Sequence, residues 1–121
     1  MNRDHTVTMV PSEVRVEVRL AGELLAATDH PVILEETGLP DRYYVPRHDV
    51  QMQRLRLASF HTTCPLKGEA SYWSVDINGE THEGVAWSYE TPIPAAADIT
   101  GLLSFYPERV QVLVEGQPLT A

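Results

Sequence analysis

The sequence predicts a mainly β protein: a single small antiparallel β-sheet domain over residues 13–121 with little helix, preceded by a loose N-terminal arm over residues 1–12. Three observations predict it. The first is strict alternation in EVRVEVRL, where Val14, Val16, Val18 and Leu20 share one face and Glu13, Arg15, Glu17 and Arg19 the other. A period of two with β-branched residues marks a half-buried strand. The second is Asn78-Gly79, set between SYWSVDI and EGVAWSYE; a two-residue hairpin turn favours that dipeptide because both central residues need positive φ. The third is the placement of the nine prolines between the apolar runs rather than inside them, where a missing N–H costs a sheet little.

The remaining elements follow in chain order. The first ten or so residues show no clear period and end at Pro11, hence the arm. Ala21-Gly22 supplies a turn after which ELLAAT returns as the second arm of a hairpin, and PVILEE is a short strand closed by the turn-forming TGLPD. RYYVP is a strand that Pro46 ends, with Asp49 placed to cap one helical turn. RLRLASF alternates Leu55 and Leu57 with Arg54 and Arg56, and VQVLVE closes the sheet. Asp98 is placed to cap a short helix from Ile99 to Leu102. About eight short strands result, with no internal repeat and no low-complexity tract.

Composition narrows the function classes. A chain of 121 residues, 43% hydrophobic and 21% charged, suits one ordinary globular domain. Nine Lys+Arg against 17 Asp+Glu give a formal charge of −8, which repels phosphate backbones and anionic lipid and argues against nucleic-acid or membrane partners. One cysteine cannot make an intrachain disulfide. With no apolar run of signal-peptide or membrane-helix length, the cytoplasm is the expected compartment.

Chemistry concentrates in FHTTCPLKGEASYW, residues 60–73. Cys64 has Lys67 and His61 three residues to either side, so a turn shaped by Pro65 and Gly68 can bring a cation to the thiol and favour the thiolate. The competing reading is a small buried hydrophobe. His61 and Cys64, completed by His82 or His48, make only one close ligand pair where structural zinc shows two. Lys67 is either an anchor for an anionic group or a solvated loop-tip lysine. Thr63 either offers a ligand its hydroxyl or bonds within the turn. Tyr72, Trp73, Trp87 and Tyr89 flank the Asn78-Gly79 hairpin. Trp87 and Tyr89 share a face, Tyr72 and Trp73 take opposite faces, and Trp73 and Trp87 are expected at similar heights. They serve as core or as the wall of a ligand pocket. Glu35 and Glu36 project to opposite faces of a strand and are expected to be solvated. No GxSxG, HExxH, GxGxxG or GxxxxGK[ST] motif occurs.

The ordered motifs RYYVPRHDV, TTCPLKGEASYW, AWSYETP and ITGLLSFYPERVQVLVEG resemble the domain of unknown function family DUF427 from about Val14 to Gly116. The resemblance implies a largely antiparallel fold of the β-tent kind. It carries over Tyr44, Pro46, Asp49, Thr63, Cys64, Lys67, Gly68, Tyr72, Trp73, Trp87, Tyr89 and Tyr106 as recurring positions, with the polar members gathered around one cleft. Two departures stand out: Leu66 where such domains carry an aromatic, and Glu90 where they carry a proline. The nucleotidyltransferase label sometimes attached to the family finds no Gly-Ser with spaced metal-binding aspartates here.

The expected function is binding of a small molecule, anionic through Lys67, in a pocket made by Asp49, Thr63, Cys64, Lys67, Tyr72, Trp73, Trp87 and Tyr89. The alternatives are a cysteine-dependent enzyme, with Cys64 as nucleophile and Lys67 assisting, and a structural or interaction module with no small-molecule site. No metal or nucleotide cofactor is supported, and oligomeric state is not indicated.

Overall fold

The computed structural model describes residues 5–120. It is mainly β, with helix confined to three 3-10 turns at Arg47–Asp49, Met52–Arg54 and Pro94–Ile99. The strands are β1 (Val7–Pro11), β2 (Val16–Leu20), β3 (Glu23–Thr28), β4 (Val32–Glu36), β5 (Arg42–Tyr44), β6 (Leu55–Cys64), β7 (Gly68–Ile77), β8 (Glu80–Ser88), β9 (Leu103–Phe105), β10 (Gln111–Val114) and β11 (Gln117–Pro118). They form three separate antiparallel sheets rather than one, ordered β1-β4-β5, β11-β10-β2-β3 and β6-β7-β8-β9.

The physical reason for three sheets lies in β7 and β8, which bury side chains on both faces. Val75, Ile77, Leu103 and Phe105 pack with Val16, Val18 and Val112 of the second sheet in one core. Ala70, Trp87 and Tyr89 pack with Leu34 and Tyr44 of the first sheet in another. Alternation in sequence identifies a buried face but not which sheet covers it. The sheets are tied where Val45 and Leu103 exchange backbone hydrogen bonds at 2.7 and 3.0 Å, and where Ala26 meets Val50 in an isolated bridge.

Three tight hairpins are local in origin. Ala21-Gly22, Asn78-Gly79 and Glu115-Gly116 all have positive φ at both central residues, the twist that lets two strands return without splaying. The N-terminal segment departs from the expected arm. Val7–Pro11 is an ordered edge strand in register with β4, from Val7 opposite Glu36 to Pro11 opposite Val32. Its terminal Pro11 is tolerated because only one side of an edge strand is paired. Neither predicted cap forms: Asp49 ends its 3-10 turn instead of starting it, and the last 3-10 turn begins at Pro94 and stops at Ile99.

Candidate functional site

The Cys-Pro-x-Lys-Gly element is a hairpin turn. β6 runs to Cys64 and β7 starts at Gly68, directly opposite it. The Lys67 N–H donates to the Cys64 carbonyl at 3.1 Å, and Pro65 supplies the fixed φ that the first corner of such a turn requires. Gly68 has φ 121, and a Cβ there would stand 3.2 Å from Pro92 Cα and 3.3 Å from the Ile93 nitrogen. Only glycine combines that dihedral with that approach. The Ile93 N–H donates to the Lys67 carbonyl at 2.9 Å, so the turn is docked on the Thr91–Ile93 segment.

That docking fixes Lys67, which is neither a solvated tip nor a free anchor. Its Nζ donates to Glu36 Oε1 at 3.0 Å, with the two side chains only 13% and 9% exposed. His5 Nε2 lies 3.0 Å from the other Glu36 oxygen. The expectation that Glu36 is solvated therefore fails. Burial alone would push its carboxyl up, but the hydrogen bonds from Lys67 and His5 outweigh it and the pKa is lowered.

Lys67 and Glu36 lie at one side of a cleft of about 190 Å³ whose other walls are Leu34, Leu39, Pro40, Arg42, Tyr44, Tyr72, Trp87, Tyr89 and Tyr106. Strand periodicity builds it: Leu34 and Glu36 are two apart on β4, Arg42 and Tyr44 two apart on β5, and Trp87 and Tyr89 two apart on and just after β8. Tyr72 of β7 stands opposite Trp87 in the sheet, which puts those two rings on one face. Trp73 is opposite Ala86 instead, so the two tryptophans are neither level nor on the same side.

The aromatic wall is hydrogen-bonded and charged at one point. Trp87 Nε1–H donates to Tyr44 Oη at 2.9 Å, with the rings edge to face at 6.1 Å; this leaves the Tyr44 proton free to donate. Tyr72 Oη is 2.7 Å from Thr62 Oγ1, and the Phe60 ring stacks on the Tyr72 ring at 4.8 Å. Burial raises the Tyr44 and Tyr89 phenols well above their ordinary value. Tyr106 is pushed up to about 12, first by burial and then by its hydrogen bond with Tyr72. All three stay protonated at neutral pH and present O–H donors. The Arg42 guanidinium lies 5.2 Å from the Trp87 centroid and 5.9 Å from that of Tyr106. Among the described residues no carboxylate pairs with it.

Of the eight sequence-predicted pocket residues, Lys67, Tyr72, Trp87 and Tyr89 line the cleft; Asp49, Thr63, Cys64 and Trp73 do not. Cys64 is half-buried and packs against the Leu34, Tyr44 and Trp87 cluster, and its neighbouring cation is committed to Glu36. Thr63 is exposed opposite Glu69, and Asp49 has His48 beside it at 3.7 Å. Trp73 belongs to a network on the other face of the sheet. Its Nε1–H donates to Ser88 Oγ at 3.0 Å, Ser88 donates to Glu90, and Glu90 takes Arg47 Nη1 at 3.0 Å. Arg47 also donates to the Gly101 carbonyl and sits 5.2 Å from the Trp73 centroid. Burial pulls the Glu90 carboxyl up, yet Ser88 and Arg47 hold it below its ordinary range. Glu90 thus ties the 89–101 loop to the segment after β5.

Arg42 and Glu36 are the residues that sequence reasoning missed. Arg42 stands two before Tyr44 in a segment read as a strand, and that spacing puts both on one face. Glu36 had no signal, because its partner is 31 residues away in sequence. Among the described residues no three His, Cys, Asp or Glu side chains gather closely enough to hold a metal ion, and no helix is long and apolar enough to cross a membrane.

Fold and site define a small mainly β domain with an aromatic cleft that carries a guanidinium with no carboxylate partner among the described residues. Residues 8–116 match the model of the domain of unknown function DUF427, and the chain belongs to that family. No curated protein matches it.

Proposed function

We propose that the cleft binds a small anionic molecule with a flat, partly apolar body, and that Arg42 rather than Lys67 meets its charge. The observation that carries this is the guanidinium held over two aromatic faces with no carboxylate partner among the described residues. Arg42 is half-buried, so its charge is only partly solvated, and an anionic ligand supplies the missing partner. Tyrosine hydroxyls supply orienting donors, and the Trp87 and Tyr106 rings supply area. A volume of about 190 Å³ is below the usual range for drug-sized ligands, so the ligand is a small metabolite. The β-tent architecture and cytoplasmic setting expected from the sequence belong to the same reading, supported by the three antiparallel sheets and the lone thiol.

The test is titration with benzoate and its neutral counterpart benzamide, followed by tryptophan fluorescence. Benzoate should bind more tightly, and Arg42→Gln should weaken it roughly tenfold or more, the loss of one charge-assisted contact. Trp73 provides an internal control because it lies outside the cleft. Benzoate binding that is absent, or unchanged in Arg42→Gln, overturns the proposal.

A further inference from the structure

We propose that the chain carries a second binding site, for a small organic cation: a protonated amine on one apolar ring or branched alkyl group. The site is a cavity of about 120 Å³ between the β2 and β10 valines and the body of the first core. Its walls include Val16, Val18, Val112 and Phe105, each at most 5% exposed. Close packing in protein interiors leaves few voids larger than one water molecule. This hollow is open to solvent on one side rather than enclosed, and its volume is about four times the roughly 30 Å³ that a water occupies in the liquid. Its aliphatic and aromatic base suits an apolar guest of about one ring, while its rim is polar and solvated.

The mouth fixes the charge of the guest. Asp41 and Glu108 both line it, both are exposed, and neither is in an ion pair among the described residues. Arg42 also borders this cavity, but its guanidinium is held over Trp87 and Tyr106 in the other cleft. Tyr43, on the same wall, registers the local field: burial and then Asp41 and Glu35 raise its phenol. An apolar hollow with two unpaired carboxylates at its rim complements an ammonium group carried on a hydrocarbon, and disfavours a carboxylate on the same body. The two sites share Pro40 and Arg42 at their rims, but they are proposed for guests of opposite charge and are read by different probes, so either can fail alone.

The experiment follows valine methyl signals by NMR while the whole chain is titrated with benzylammonium, benzyl alcohol and benzoate. Benzylammonium should shift the Val16, Val18 and Val112 methyls and bind roughly fivefold or more tighter than benzyl alcohol, as expected for partly solvated charge pairing. Asp41→Asn with Glu108→Gln, both surface changes, should bring the two affinities together, and Val112→Phe should fill the hollow and abolish both. The proposal is overturned if these methyls do not move, if the alcohol matches the amine on the unmodified chain, or if the chain's own C-terminus already occupies the hollow and excludes every probe.

Discussion

Replacing Lys67 by methionine tests whether the Cys-Pro-x-Lys-Gly turn is held by its ion pair. At 3.0 Å, and with an effective dielectric of about 20, the gross attraction between Lys67 and Glu36 is about 5.5 kcal/mol. Desolvation of two side chains that are 13% and 9% exposed cancels most of it. Breaking the pair is another matter, since Lys67→Met leaves the Glu36 carboxylate enclosed with, among the described residues, only His5 beside it. We expect a loss of about 3 kcal/mol at neutral pH. Glu36→Gln should cost about 2 kcal/mol, and the double variant little more than either single one, a coupling of about 2 kcal/mol. The pH dependence has a definite sign. The Glu36 carboxyl is lowered in the fold from 4.5, so its stabilisation is complete above that value and is lost as pH falls through the folded one. The penalties of both single variants should therefore shrink in acid. Urea denaturation followed by tryptophan fluorescence, at pH 7 and pH 4, measures all of this. Penalties that add within about 0.5 kcal/mol, or that do not change with pH, would refute the coupling.

Gly68→Ala combines an unfavourable φ with contact against the Pro92 backbone and should cost about 3 kcal/mol. Gly79→Ala, at φ +80 with nothing within 4 Å, should cost only about 1 kcal/mol, and the difference in urea midpoints checks it. Trp87→Phe removes the donor to the buried Tyr44 oxygen and should destabilise by about 2 kcal/mol, with Tyr44→Phe recovering part of the loss in a double variant. Cys64→Ala should lose about 1 kcal/mol of packing while benzoate affinity stays within about twofold. A larger loss of affinity would place the thiol in the cleft after all.

The Ala21-Gly22 and Asn78-Gly79 hairpins were legible because their cause is local: two adjacent residues at positive φ decide each turn, while the same turn at Glu115-Gly116 was passed over. Alternation likewise revealed which face of β2 is buried. It failed for Val7–Pro11, whose Val7 and Met9 acquire a buried side only from packing with the second core. The partition into three sheets was hidden for a related reason. The two faces of β7 and β8 are covered by strands far away in sequence, and no local pattern encodes that. At the site, the aromatic residues were visible as types, and their faces followed from the period of two. The ionic arrangement is not encoded locally: Lys67 is held by a carboxylate of β4 31 residues away, and Arg42 reads in sequence as an ordinary strand charge.

Three-residue β5 has one further consequence, for how the protein can change over time. Tyr44 belongs to the wall of the tyrosine cleft, while Tyr43 and Val45 border the valine hollow, so successive positions on one short strand belong to two different chambers. Arg42 borders both, so a substitution there alters both, whereas one at Tyr44 can retune one chamber while leaving the other's walls in place. A single-residue insertion or deletion in the loop before Arg42 would do the opposite. It would turn the strand over and exchange the two linings at once, so that segment tolerates changes of residue far better than changes of length.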